Sequence, residues 1–359
     1  MMKNTHVQTC SAAGEHNHTK KSATICYVGG RSGGHIVPAL THAHNHLIKK
    51  PDDKILFIAT NTPLDGALVG AATHVHKKLY LKLPNVPRRL LAMPAFTYRF
   101  GVAFVKSFNT LRRQRVARVV SMGGYVSLPV CLAARLLRIP VTLFELNAHP
   151  GKATKFLAPH VTEVAVCFEQ AKKSFARSVT CVPYPLQYQA KPHEQELIDH
   201  KRLHGLEVGK KVLLVLGGSQ GSIFLNGLIG RWLDAEPSAH DRVHVVHQTG
   251  ANDSCDWAAW YHERGIAATV FPYSNDLALW YSCADLVVCR AGAGTLFEVA
   301  FFQKPCVIIP LVTAETAHQV DNAKAMVAHY PGQFAMFNQA DIQGNPELFC
   351  ERMAHELQR

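Results

Sequence analysis

The chain has 359 residues, with 38 Lys and Arg against 26 Asp and Glu, a formal net charge of +12, and 48% hydrophobic against 18% charged residues. That length suits two domains, each large enough for its own core, and the composition excludes a disordered or fibrous chain. No apolar run approaches the ~18 residues of a membrane-spanning helix.

Met1–Ser22 is polar, carries His6, His16 and His18, and lacks the apolar core and cleavage site of a secretory signal, so it is expected to be a flexible tail. Beyond it, short apolar runs rich in branched residues alternate with longer helix-like stretches. The expected strands are Ile25–Val28, Ile55–Ala59, Ala117–Ser121, Val141–Glu145, Val212–Leu216, Val243–His247, Ala268–Phe271, Leu286–Cys289 and Cys306–Pro310. Such alternation predicts βα units and parallel sheets. The prolines Pro183, Pro185 and Pro192, followed by a charged piece, break the pattern and read as a linker. The expected class is therefore α/β, with residues 1–22 a tail, 23–185 one domain, 186–208 a linker, 209–340 a second domain and 341–359 a C-terminal helix. Ten cysteines show no CxxC pairing and several lie in apolar runs, which predicts reduced, buried thiols and a cytoplasmic setting.

Four expected strands run straight into glycine turns, two in each half: Gly29–His35, Gly123–Tyr125, Gly217–Ser222 and Arg290–Thr295. In doubly wound sheets such turns sit at the carboxyl edge, where ligands bind, so facing domains would line one cleft with all four. Gly217, Gly218 and Gly221 let the backbone approach a ligand, while Ser219, Gln220 and the amides of a helix starting near Ser222 offer donors suited to a diphosphate. No GxxxxGK[ST] occurs, which excludes a P-loop.

The GGRSGGH turn leads into a helix expected to begin near Ile36, with Pro38 in its first turn. His35 then stands at a helix N-terminus, where imidazolium is disfavoured, and a neutral ring can take a proton from an attacking hydroxyl. Thr295 at another helix start and Glu298 one turn on can face a common ligand, with the carboxylate suited to a ribose diol.

Between Gly66 and Phe144 there are 79 residues with no Asp or Glu and 13 Lys or Arg, and from Arg88 to Arg118 the cations interleave with Leu, Met, Phe and Tyr. That mixture fits a surface resting on anionic lipid headgroups. Single-stranded nucleic acid is the competing anion, but no nucleic-acid motif accompanies the segment, and none is expected as a partner.

Taken in order, GGRSGGHIVPA, GGYVSLP, FELNAHPG, GGSQGSIFLN, HQTG, CADLVVCRAGAGTLFEV and HQVDNA resemble the MurG family, which transfers N-acetylglucosamine to lipid I to make lipid II for peptidoglycan. The resemblance spans roughly Ile25 to Ala323 and implies a GT-B fold of two Rossmann-like domains. It implies UDP-GlcNAc as donor, held mostly by the second domain through Gly218, Ser219, Gln220, Ala293, Gly294, Thr295, Glu298 and Gln319, with the backbone around Ser274 at the uracil. It implies a polyprenyl-pyrophosphate acceptor at the first domain, faced by Gly33, Gly34, Gly123, Gly124, Tyr125 and Asn147. Transfer would invert the anomeric centre, with His35 as the base and Glu145 as the alternative. No obligatory metal or other cofactor is expected, because turn amides and helix N-termini can stabilise the leaving UDP. The enzyme would sit peripherally on the cytoplasmic face of the membrane. Phe144 and Leu146 replace polar residues usual in the family and are expected to remove two polar groups from the cleft, and Gln187 stands where an Arg is usual. Two other readings stay open: a GT-B transferase for another membrane lipid, and a non-catalytic membrane scaffold.

Overall fold

The computed structural model describes residues 22–358 apart from 85–86, 88–92, 208, 219 and 314–315. The first sheet comprises β1 (Thr24–Val28), β2 (Lys54–Thr60), β3 (Lys77–Leu81), β4 (Val116–Ser121), β5 (Val141–Glu145), β6 (Glu163–Val166) and β7 (Thr180–Cys181), in the order β3-β2-β1-β4-β5-β6-β7. The second comprises β8 (Lys211–Leu216), β9 (Val243–Gln248), β10 (Ala268–Phe271), β11 (Leu286–Cys289), β12 (Cys306–Ile308) and β13 (Phe334–Met336), in the order β10-β9-β8-β11-β12-β13. All pairings are parallel. The winding direction reverses between β1 and β4 in one sheet and between β8 and β11 in the other, and ligands of such sheets bind at these switch points. The four glycine turns follow those four strands.

The first domain carries α1 (Gly33–Lys49), α2 (Pro63–Ala71), α3 (Met93–Arg113), α4 (Ser127–Leu136) and α5 (Lys152–Leu157). A connecting helix, α6 (Glu194–Leu203), falls within the expected linker. The second domain carries α7 (Ile223–Ala235), α8 (Trp257–Glu263), α9 (Ala278–Cys283), α10 (Ala293–Phe302), α11 (His318–His329), α12 (Gln339–Gly344) and α13 (Glu347–Gln358).

Three details differ from expectation. Strands β3, β6, β7 and β13 were not legible: they are two to five residues long, too short to display a period, and β3, β7 and β13 lie at sheet edges. Helix α1 starts at Gly33 rather than near Ile36, because the amides of His35 and Ile36 already bond to the Ser32 carbonyl, and Pro38 consequently lies in the second turn. The C-terminal piece is two helices, since Pro346 disfavours helical backbone at Asn345.

Residues on α3, α4 and α5 such as Ala103, Val130 and Leu157 cover one face of the first sheet. Its other face belongs to an apolar cluster that continues into the second domain, joining Ile36 and Phe144 to Leu214, Leu296 and Ala323. Phe297 of α10 lies between Phe168 and Tyr184, with ring centroids 4.8 and 4.9 Å away. The outer face of the second sheet packs against α7, α8 and α13 through Trp232, Tyr261 and Phe349. All described cysteines are free.

Candidate active site

The turns after β1, β8 and β11 and the start of α11 open onto one cleft of about 940 Å³ between the domains. Its walls include Gly33, Gly34, His35 and Asn147 from the first domain, and Gly218, Gln220, Ser274, Ala293, Gly294, Thr295, Glu298 and Gln319 from the second. Ser219, and the cations Arg88 and Arg89, lie outside the described residues.

On the first domain, His35 is the third residue of α1. Burial lowers its pKa, a hydrogen bond to the Gly30 carbonyl opposes that, and the nearby His318 lowers it further. Its Nδ1 lies 3.1 Å from Ser32 Oγ. His318 is the first residue of α11 and also lines the cleft, so imidazoles at two helix starts share one cavity. Gly124 has φ 74°, and a Cβ there would stand 3.5 Å from His35 Nδ1. Gly123, Gly124 and Tyr125 are not on the cleft wall: Gly124 backs the His35 ring, and the Tyr125 hydroxyl donates to the Leu83 carbonyl at 2.6 Å.

Glu145 also stays off the wall. It is buried at the end of β5, where Oε1 accepts from the Asn147 amide at 3.0 Å and Oε2 from the Gly151 amide at 3.1 Å. Burial raises its pKa while these bonds and the Thr154 hydroxyl lower it. This geometry makes Glu145 a brace for the loop that presents Asn147.

On the second domain, Ser222 caps α7, its hydroxyl accepting from the Leu225 amide at 3.3 Å. A Cβ on Gly221 would lie 2.2 Å from the Thr249 carbonyl oxygen, so the GGSQGS turn and the HQTG loop meet backbone to backbone. Gln248 Nε2 donates to the Gly218 carbonyl at 3.0 Å, and its Oε1 accepts from the Ser274 amide at 3.3 Å. Gln319 Oε1 accepts from the Leu311 amide at 2.9 Å, leaving its amide nitrogen for the cleft. Glu298 sits in the middle of α10, where the helix dipole gives it little support. Burial raises its carboxyl to about 7, and a 2.9 Å bond from the Tyr281 hydroxyl draws it partly back.

Three residues were not singled out from the sequence. Arg290 ties the ends of β11 and β12 to α7: its guanidinium donates to Ser222 Oγ at 2.8 and 3.0 Å and to the Ile309 carbonyl at 3.1 Å. Buried Asn322 spans the domains, accepting from the Ala148 amide at 2.8 Å and donating to Asn147 Oδ1 at 3.1 Å. Asp253 lines the cleft and accepts from Asn226 Nδ2 at 2.8 Å and Trp257 Nε1 at 2.9 Å. The glycines near Arg290, and the HQVDNA run for Asn322, were the available signals, but polar side chains that serve the protein's own backbone look like ligand groups in a sequence.

Of the two expected losses of cleft polarity, only Leu146 touches the cleft; Phe144 is buried edge-on against His42, centroids 5.1 Å apart. Gln187 ties the linker to the second domain, donating to the Asn275 carbonyl at 3.0 Å.

Two parallel α/β domains with glycine turns opposed across a cleft define a protein of GT-B architecture. Solved structures share the arrangement: the Acinetobacter baumannii MurG structure superposes with a TM-score of 0.71 at 25% identity, covering 93% of this chain and 91% of that one. A structure assigned as a UDP-N-acetylglucosamine 2-epimerase from Listeria monocytogenes shares the fold alone, with a TM-score of 0.62 at 11% identity over 94% and 88%. Residues 25–166 match the glycosyltransferase family 28 N-terminal domain and residues 212–345 its C-terminal domain, so the chain belongs to glycosyltransferase family 28. A relative from Myxococcus xanthus is 32% identical over 89% of this chain and 81% of its own length, and one from Geobacter metallireducens 32% over 86% and 84%. Both are named UDP-N-acetylglucosamine–N-acetylmuramyl-(pentapeptide) pyrophosphoryl-undecaprenol N-acetylglucosamine transferase.

Proposed function

We propose that the protein moves GlcNAc from UDP-GlcNAc to the MurNAc of undecaprenyl-pyrophosphoryl-MurNAc-pentapeptide, giving lipid II. The observation that carries this reading is the pairing, on one cleft, of His35 at a first-domain helix start with a second-domain wall holding Glu298, Thr295 and Gln319. The names of the relatives supply the donor and acceptor.

In this reading the acceptor hydroxyl attacks the anomeric carbon as the bond to the UDP oxygen breaks, with inversion, and the proton passes to His35. Burial favours the neutral imidazole this step requires, so one ring nitrogen is free to take the proton. Glu298 accepts the ribose hydroxyls. Amides at the starts of α7 and α10, with the Thr295 hydroxyl, stabilise the diphosphate as its charge grows, so no metal is required.

The membrane part rests on α3. Its Ala103, Ser107 and Leu111 are buried, whereas Tyr98, Val102 and Val105 are exposed beside Arg99, Lys106, Arg112 and Arg113. Apolar side chains at i, i+4 and i+7 flanked by cations suit peripheral docking on an anionic leaflet, the cytoplasmic one in this reading. No described helix is long and apolar enough to cross a membrane.

The test is GlcNAc transfer from radiolabelled UDP-GlcNAc to a soluble-chain lipid I analogue, with and without EDTA. Wild type should transfer equally in both conditions. His35→Ala should lose about 100-fold or more in kcat, as expected for a general base, and Glu298→Ala should act chiefly on donor KM. Transfer to a diacylglycerol acceptor instead would overturn the acceptor assignment.

A further inference from the structure

Position 31 is the conformational outlier of the first-domain turn. Arg31 has φ 69°, a left-handed conformation that glycine takes freely and that an arginine adopts only under constraint. Two sets of contacts supply the constraint. Its amide donates to both oxygens of Asp65, at 3.0 and 3.1 Å, and that fully buried carboxylate also accepts from the Thr60 amide at 2.9 Å and the Thr62 hydroxyl at 2.6 Å. A Cβ on Gly30 would come within 2.9 Å of Asp65 Oδ2, so the turn is moulded around this acid.

The side chain points away from the cleft wall. Its guanidinium lies 4.7 Å from the centroid of the Tyr125 ring, and Nη2 donates to the Leu83 carbonyl at 3.1 Å, the same carbonyl that receives the Tyr125 hydroxyl. Leu83 is buried two residues beyond β3, where the chain sets out toward α3. A continuous set of contacts therefore runs from buried Asp65, through the turn that carries His35, to the root of the connection leading to the exposed cationic helix.

We propose that Arg31 is a positioning residue for the lipid acceptor. Asp65 fixes the Arg31 backbone, and the Arg31 guanidinium holds Leu83 and Tyr125 against the GGRSGGH turn, so that the acceptor's headgroup and the base meet in one geometry. This inference deepens the function proposed above and rests on it. Glycine would satisfy the backbone at this position, so what arginine adds is the strut to Leu83 and Tyr125.

That distinction makes the test direct. Arg31→Gly removes the strut while relieving the left-handed backbone, so its Tm should equal or exceed that of wild type. With the soluble-chain lipid I analogue its acceptor KM should rise about tenfold, while donor KM and kcat at saturating acceptor stay within about twofold. Asp65→Asn should raise acceptor KM as well but lower Tm, because one of the two acceptor oxygens becomes an NH2 that faces buried donors. Wild-type acceptor KM in Arg31→Gly, or a parallel rise in donor KM, would overturn the inference alone. A wild-type protein that transfers nothing to this acceptor would overturn the functional reading and this inference with it.

Discussion

Glu298 holds its proton up to about pH 7 because burial disfavours its charge. A carboxylate accepts two ribose hydroxyls better when ionised, so donor affinity should strengthen as pH rises through about 7. Titrating UDP-GlcNAc binding from pH 5.5 to 8.5 should show this, and Glu298→Gln should bind about 10-fold or more weaker at pH 8 with a flat profile. Stability runs the other way. A carboxyl whose folded pKa is raised from the ordinary 4.5 to about 7 costs stability as pH rises across that window, so Glu298→Gln should melt higher than wild type at pH 8. That His35 and Glu298 line the cleft was legible because a titratable residue beside a glycine turn or one helical turn past it has few places to point. Glu145 was not: its neighbours in sequence, Asn147 and Gly151, turn back to occupy both of its oxygens.

At the level of elements, the glycine turns divide into two physical kinds. Gly218 has φ 89° with open space around it, so Gly218→Ala should cost only the left-handed backbone penalty, about 1–2 kcal/mol. Gly221 has φ 78° and also abuts the Thr249 carbonyl and Gly250 Cα, so Gly221→Ala must push two loops apart. Thermal unfolding should register a loss of about 3 kcal/mol or more in the second domain, with donor binding falling in step. The sequence marked both positions as turn glycines, but the crossing partner at Gly221 is a loop some 30 residues on, which periodicity does not reveal. The same limit applied to strands. Buried strands such as LLVL announce themselves as apolar runs, whereas edge strands β3, β7 and β13 owe their existence to a neighbour's unpaired backbone groups.

Across the whole molecule, the domains meet through Asn322 and the Phe168–Phe297–Tyr184 stack while the cationic, apolar face of α3 points outward. Replacing Tyr98 and Val105 with Glu and Asp should reduce sedimentation with anionic vesicles by about tenfold at low salt, and leave turnover of a soluble-chain acceptor unchanged. Wild-type binding should itself weaken as salt rises. Sequence alone determined the two α/β domains, the four glycine turns and the cationic segment, because local backbone chemistry and short-range apolar patterning fix these. Tertiary structure decided the rest: that Phe144 lies off the cleft, that Gln187 ties the linker to the second domain, that Glu145 and Tyr125 serve as braces, and that Arg31 reaches Leu83 across 52 positions. Each of those outcomes depends on which distant backbone amide or carbonyl needs a partner once the chain has closed on itself, and that need arises only in the folded state.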